Sequence, residues 1–450
     1  MDWTPFSCVC SSSYFRLYLY IFNLSVLSCR IPRVWKTAHV IPLHKGGEAT
    51  ELNNYRPISK LSCLAKSLES LVNSQLKSFL NENSILSNYQ SGFREGHSTI
   101  SAVTLVLNDL YSDCIQKKHC AAVFIDLTKA FDTVGHTLLL RNLKKIGFDA
   151  KALEWSQNYL TDRQQCTAFN NYESDFLAIS KGVSQGSILG PVLFNIYIND
   201  IAASVSSLDC KIHLYADDTI LYCSADSIHA AVIKLQNSFN ALQIALNNHK
   251  LVLNAKKTKL MLFSRSLNSD VNCVNFTTLA GSTIERVTEY KYLGIWLDET
   301  FKPHINKLVS KCRQKLGYLY RNKACFPMHA RKTIVEATLL SVLDYGDVIY
   351  KYESASSLKL LDPVYHSALR FITGDPYRTH HCDLYRKVGW PPLAARREMH
   401  WLILIYKTLS GHMPEYITSL INFNNSNYQT RSSGWISCQV PRVFTELGKS

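Results

Sequence analysis

The chain lacks the features of a membrane protein, a secreted protein or a string of tethered domains. No stretch reaches the ~20 consecutive apolar residues that span a bilayer. The nearest approach, Leu17-Tyr18-Leu19-Tyr20-Ile21-Phe22-Asn23-Leu24, follows Arg16 and is interrupted by Asn23. No small-residue cleavage pattern follows it, so it reads as a helix rather than a signal peptide or anchor. Among 14 cysteines there is no Cys-x-x-Cys pair. Cys8 and Cys10 lie one residue apart and His380-His381-Cys382 stands alone. That usage suits reduced thiols in an intracellular protein, not a disulfide framework or a zinc site. Gly/Ser-rich linkers, low-complexity tracts and internal repeats are absent, which favours one continuous assembly. Acidic residues are few beside basic ones: 35 Asp and Glu against 49 Lys and Arg, a net charge of +14. A basic surface of that size favours a polyanionic partner such as nucleic acid.

What is present is a large, core-forming chain. Its 450 residues are 46% hydrophobic, enough for two or three subdomains. Its most informative segment is Ile212-His213-Leu214-Tyr215-Ala216-Asp217-Asp218-Thr219-Ile220-Leu221-Tyr222. β-favouring residues flank a tight acidic pair, which reads as strand, turn and strand with two carboxylates at the tip. Adjacent carboxylates repel, and hard oxygen ligands of this kind suit Mg2+. Far upstream, Ala121-Ala122-Val123-Phe124-Ile125-Asp126 is a second apolar run ending in a carboxylate. A buried strand that delivers an Asp at its end holds a ligand rigidly.

Together these segments resemble the catalytic motifs of reverse transcriptases from LINE-type (non-LTR) retrotransposons. Phe124-Ile125-Asp126-Leu127-Thr128-Lys129-Ala130-Phe131-Asp132-Thr133-Val134-Gly135-His136 is similar to the first motif. Gly182-Val183-Ser184-Gln185-Gly186-Ser187-Ile188-Leu189-Gly190-Pro191 is similar to the second, and Leu214–Thr219 to the third. Asn54–Ser59, Gln90–Arg94, Leu253–Thr258 and Tyr290–Gly294 match further motifs in the family's order. The likeness runs from about Tyr20 to the end of the chain and is closest to jockey-like elements of vertebrates.

The resemblance implies an RNA-directed DNA polymerase that adds deoxynucleoside triphosphates to the 3′-hydroxyl of a DNA primer or target DNA on an RNA template. Asp126, Asp217 and Asp218 are the implied catalytic carboxylates. With the Leu127 carbonyl they are the implied ligands of two Mg2+ ions. Lys45 and Arg56 are the triphosphate candidates, Arg through its planar fork and Lys as a point charge. Phe131 resembles a steric gate against ribonucleotides. Gln185 and Gly186 lie where the family meets the nucleotide or template base, and Lys257 falls near the leaving pyrophosphate. Tyr290, Tyr292, Leu293 and Gly294 resemble the primer grip. Asp132 is left out as a structural carboxylate. Ser184 stands where Pro is commoner and Gly135 where an acid or amide is commoner; neither touches the acidic cluster. A catalytically weak, nucleic-acid-binding remnant of a retrotransposon is the alternative. It is favoured by the absence of any endonuclease-like segment and by a C-terminus, Arg442–Ser450, that looks cut. An RNA-templated RNA polymerase is a third reading, against which Phe131 argues. A nuclear site of action follows from the family; no clear import cluster accompanies it.

The expected fold is α+β, a right hand with a mainly antiparallel palm sheet. The divisions are an N-terminal, partly helical segment (1–35), fingers (36–120), palm with primer grip (121–300), helical thumb (301–350) and helical C-terminal extension (351–450). Periodicity predicts helices over 63–81, after Ser98, and over 136–146, 191–205, 228–246, 304–320, 330–345, 357–372 and 394–410. Strands are predicted over 38–43, 121–126 and 260–263.

Overall fold

The computed structural model describes residues 1, 3, 13–205, 209–264, 275–298, 302–351 and 353–421. The Cys8/Cys10 pair, most of the unmatched leader and the end from 422 to 450 lie outside the described residues.

Among the described residues, three sheets organise the chain. The first is built on the hairpin of β1 (Thr37–His44) and β2 (Tyr55–Lys60), paired antiparallel with Leu43 opposite Arg56 and His44 opposite Tyr55. β4 (Arg163–Phe169) joins β1 in parallel, and β5 (Tyr172–Glu173) and β6 (Leu177–Ile179) pair with β4. The central sheet contains β3 (His119–Ile125), β7 (Lys211–Tyr215), β8 (Asp218–Ala225), β9 (Lys259–Phe263) and β10 (Glu285–Arg286). Its order is β10-β9-β3-β8-β7, antiparallel except for β10 beside β9. The third is the hairpin of β11 (Tyr290–Tyr292) and β12 (Ile295–Leu297). This is the α+β, largely antiparallel architecture expected.

The central sheet is apolar on both faces because both are covered. Successive strand side chains point to opposite faces. Ala121, Val123 and Ile125 of β3 share one core with Leu221 of β8, Leu260 of β9, and Leu139, Phe194 and Phe239 from helices. Cys120, Ala122 and Phe124 share the other with Ile220, Met261, Val106, Leu308, Tyr350 and Tyr365. The continuous run Ala121–Ile125 is therefore a strand buried from both sides, and it stops at the first charged residue, Asp126.

Helix boundaries depart from the periodicity at three places. The predicted helix 191–205 is an α-helix only over Gly190–Ile198 and tightens to a 3-10 helix over Asn199–Ser204. There Asn199 turns its side chain to the Ser87 N–H and the Ile85 carbonyl. The predicted helix 330–345 carries a wide turn at Glu336–Leu340. The predicted helix 357–372 is broken, and its second part, Asp362–Thr373, starts with Pro363 in its first turn. Among the described residues, no helix is long and apolar enough to cross a membrane.

Candidate active site

The acidic hairpin closes in two residues. Tyr215 pairs with Asp218, leaving Ala216 and Asp217 as the turn. Ala216 is left-handed, with φ 58°, a conformation that primed hairpin turns require and that costs a non-glycine residue about 1 kcal/mol. The turn is held from outside. The Gln90 Oε1 accepts the Ala216 N–H at 3.0 Å and the Gly92 N–H at 2.8 Å. The Ser91 N–H donates to the Leu214 carbonyl at 2.8 Å, and the Leu214 N–H to the Tyr89 carbonyl at 2.8 Å. Thus Gln90-Ser91-Gly92 covers the free edge of β7.

The pairing of β3 with β8 brings the distant carboxylate to the same place. Ile125 lies opposite Thr219, so the next step of the register sets Asp126 against Asp218. The electrostatics follow. The Asp218 carboxyl is pushed up to about 6 by crowding protein, then by the Asp217 and Asp126 charges. The Asp217 carboxyl is also raised, chiefly by burial and further by Asp126, while its own backbone N–H, Arg56 and Lys45 oppose the shift. This is a cluster whose full ionisation is unfavourable without a cation.

Asp126 is fixed through its backbone. Its N–H donates to the Thr258 Oγ1 at 3.3 Å, and its carbonyl accepts the Asn254 N–H at 2.9 Å. Leu127 bridges to Leu253, flanked by the Thr128 N–H bond to the Val252 carbonyl. Neither flanking bond uses the Leu127 carbonyl. The same turn carries Lys257, whose N–H is held by the Asn254 carbonyl and side chain. Lys45, just past β1, has its ammonium pKa lowered by burial and then by the Arg56 and Lys257 charges, with Asp126 and Asp132 opposing. Lys45 and Arg56 therefore sit within electrostatic reach of the carboxylates, and Lys257 within reach of Lys45.

The remaining predicted residues line the same region. The Phe131 ring stacks on Phe194 (centroids 4.4 Å apart, planes at 23°) and meets the Phe93 edge at 6.3 Å. The Gln185 Nε2 donates to the Asp132 Oδ1 at 2.9 Å, and the Gln185 carbonyl accepts the Ser59 N–H at 2.6 Å. Gly186 has φ 120°, and a Cβ there would lie 2.5 Å from the Ser59 carbonyl oxygen. Tyr290 stacks on Phe124 at 4.1 Å, and burial plus the Asp218 and Asp126 charges push its phenol up to about 12. Tyr292 is buried beside it, and its hydroxyl has no hydrogen-bond partner among the described residues. Leu293 and Gly294 form the hairpin tip, where the Tyr345 hydroxyl donates to the Leu293 carbonyl at 2.5 Å.

Several supporting roles were not assigned from the sequence. Asp132 orients Gln185. Gln90 holds the acidic turn. Glu69, 3% exposed, accepts the Ile188 and Leu189 N–H groups and the Tyr159 hydroxyl, anchoring the loop that carries Gln185. A carboxylate inside the Leu64, Leu68, Val72 and Leu76 stripe was the available signal. Among the described residues, three groups away from the hairpin bring metal-ligating side chains together: His380, His381 and Cys382; Asp344, Asp347 and His400; and His39, Cys166 and Glu173. In the second, Arg396 already grips Asp344 through two bonds and His400 pairs with Asp347 at 2.6 Å.

Residues 43–297 match the family described as reverse transcriptase (RNA-dependent DNA polymerase). The chain is 31% identical over 385 residues to the probable RNA-directed DNA polymerase from transposon BS of Drosophila melanogaster, covering 83% of this chain and 42% of that protein. It is 30% identical over 384 residues to the RNA-directed DNA polymerase from mobile element jockey of the same organism, covering 83% and 41%. The chain thus spans about two fifths of the length of these curated relatives. A solved structure of apo telomerase from Candida tropicalis, truncated from the C-terminal domain, aligns with TM-score 0.41 and 12% identity over 59% of this chain and 54% of that one.

Proposed function

The chain belongs to the reverse transcriptase (RNA-dependent DNA polymerase) family, and from that premise we propose that it extends a DNA primer on an RNA template. The observation that carries this reading is the register of β3 with β8, which sets Asp126 against the Asp217–Asp218 turn. The chemistry of the donor set suits a divalent cation: three carboxylates, two of them with raised pKa values from crowding and mutual repulsion; in this structure their oxygens do not all lie within 4.8 Å of one another. Asp126, Asp217, Asp218 and the Leu127 carbonyl would hold two Mg2+ ions. When bound, such ions lower the pKa of the primer 3′-hydroxyl and neutralise the triphosphate.

The chain's own residues supply the rest. Arg56 and Lys45 face the triphosphate charge from the β1–β2 hairpin. Lys257, on the turn that fixes Asp126, is placed to give a proton to the departing pyrophosphate. Phe131, braced by Phe194, forms the floor under the sugar and excludes a 2′-hydroxyl. Gln185, oriented by Asp132, reads the nascent base pair, and Tyr290 to Gly294 support the primer end. In this reading residues 36–120 serve as fingers, 121–300 as palm, 301–350 as thumb and the helices beyond 351 as an extension. Target-primed integration would put the work in the nucleus.

The test is primer extension by purified protein on poly(rA) primed with oligo(dT), with deoxy- or ribonucleotides and with or without Mg2+. Deoxynucleotide incorporation that requires Mg2+ is expected. Preferential ribonucleotide incorporation would point to an RNA polymerase, and tight binding without incorporation to an inactive remnant.

A further inference from the structure

The edge of the central sheet beside the acidic hairpin is closed by a residue from far along the chain. β7 is the edge strand, and an unpaired edge needs a cover. Tyr89 to Gly92 supply it through the bonds to Leu214 and Ala216 described above. That cover is held by polar bonds. At its centre the Ser91 hydroxyl meets two groups, the His213 Nε2 at 3.0 Å and the Tyr416 hydroxyl at 2.8 Å. Tyr416 belongs to the short helix Glu415–Thr418, after the thumb and the helix Leu393–Leu409. Its hydroxyl also lies 3.0 Å from the Ser101 hydroxyl, in the first turn of the helix Thr99–Ile115. Its ring packs edge-on against His213 (5.4 Å, 85°) and His97 (5.8 Å, 65°). His213 is fully buried in the strand that leads to the catalytic turn.

We propose that Tyr416 is a positioning residue for the acidic hairpin, so that the segment following the thumb is a working part of the polymerase. The claim rests on the polymerase reading for its kinetic consequence but not for its structural one. Tyr416 holds Ser91. Ser91 and Gln90 hold the Leu214 carbonyl and the Ala216 N–H. Those two groups fix where Asp217 and Asp218 point. Carboxylates that share cations tolerate little displacement, because coordination and in-line attack both depend on distances set to within about 0.5 Å.

The experiment compares Tyr416→Phe, which keeps the ring and removes the hydroxyl, with Tyr385→Phe. Tyr385 is in the same C-terminal helices and gives up a 2.6 Å bond to the His366 Nε2 far from the hairpin. Two readouts are taken on the full chain. Amide hydrogen exchange at Leu214 and Ala216 is expected to quicken about tenfold in Tyr416→Phe, the size of one lost hydroxyl bond, and not in Tyr385→Phe. Primer extension is expected to show a kcat about tenfold lower with KM for the nucleotide unchanged, and a higher half-saturating Mg2+ concentration, in Tyr416→Phe alone. Equal exchange in the two variants would overturn the proposal. So would faster exchange in Tyr416→Phe with wild-type kcat and Mg2+ dependence. Should the wild type itself show no polymerisation, the polymerase reading falls, and the exchange comparison alone decides whether Tyr416 clamps the hairpin.

Discussion

Gly92 has no room for a side chain because Ala216 occupies it: a Cβ on Gly92 would lie 2.3 Å from the Ala216 backbone nitrogen and 2.9 Å from the Tyr215 carbonyl carbon. Both neighbours are backbone atoms of the acidic turn, so neither can swing aside. The Asn195 Nδ2 holds the Gly92 carbonyl at 2.6 Å and blocks escape on the other side. Gly92→Ala must push the turn out of place, at a cost of about 1–3 kcal/mol. Gly317, inside the helix Lys302–Arg321, has nothing within 4 Å of such a Cβ, and its replacement by Ala should stabilise by about 0.5–1 kcal/mol. Urea unfolding of the two variants should give opposite signs. Similar stability in both would mean the turn is not clamped at Gly92.

The Phe131 ring is braced by Phe194 rather than free to turn, so a smaller residue there opens space instead of being refilled. Phe131→Val should admit ribonucleotides, raising ribonucleotide incorporation relative to deoxynucleotide by at least about tenfold, the scale on which a pocket judges one added group. The check is competitive primer extension with the two nucleotide types. Unchanged sugar selection would remove Phe131 from the gate.

His213 and His304 should dominate the loss of stability in mild acid. Burial pushes both imidazoles down to about 4; the His97 charge adds for His213 and the Lys291 charge for His304. Unfolded, each titrates near 6.5. Below about pH 6.5 the unfolded chain therefore takes protons that the folded chain refuses, and stability falls until about pH 4. Each buried ring contributes about 3 kcal/mol over that window. Above pH 7 neither has an effect. Urea denaturation from pH 7.5 to 4.5 should give a shallower decline for His213→Gln than for the wild type. Parallel curves would show that the ring is protonated in the folded protein.

The acidic hairpin and the strand that ends at Asp126 were legible because their signals are local. β-favouring residues on both sides of Asp217-Asp218 read as a hairpin, and an apolar run ending at Asp126 reads as a strand that delivers the carboxylate at its end. Lys45 and Arg56, and the Gln185–Gly186 loop, are marked by short motifs of the same kind. What was not legible depends on contacts across the chain. Gln90 meets the Ala216 N–H, Asp132 meets Gln185, and Tyr416 meets Ser91, and no periodicity records such meetings. The pairing of β4 with β1 is equally silent, since Arg163–Phe169 has only two buried side chains and no alternation to advertise a strand. Glu69 shows how a buried carboxylate hides within a helical stripe when its partners are backbone amides elsewhere.

The central claim is that Asp126 and Asp217 act at one site, and a double-mutant comparison of primer extension tests it most directly. Residues that work as a unit are strongly non-additive. Purified, folded Asp126→Asn and Asp217→Asn should each lose at least about a thousandfold in Mg2+-dependent extension, comparable to loss of a group that acts in the transition state. The double variant should be no slower than either. Wild-type extension by either single variant, or losses that multiply in the double, would contradict a shared site.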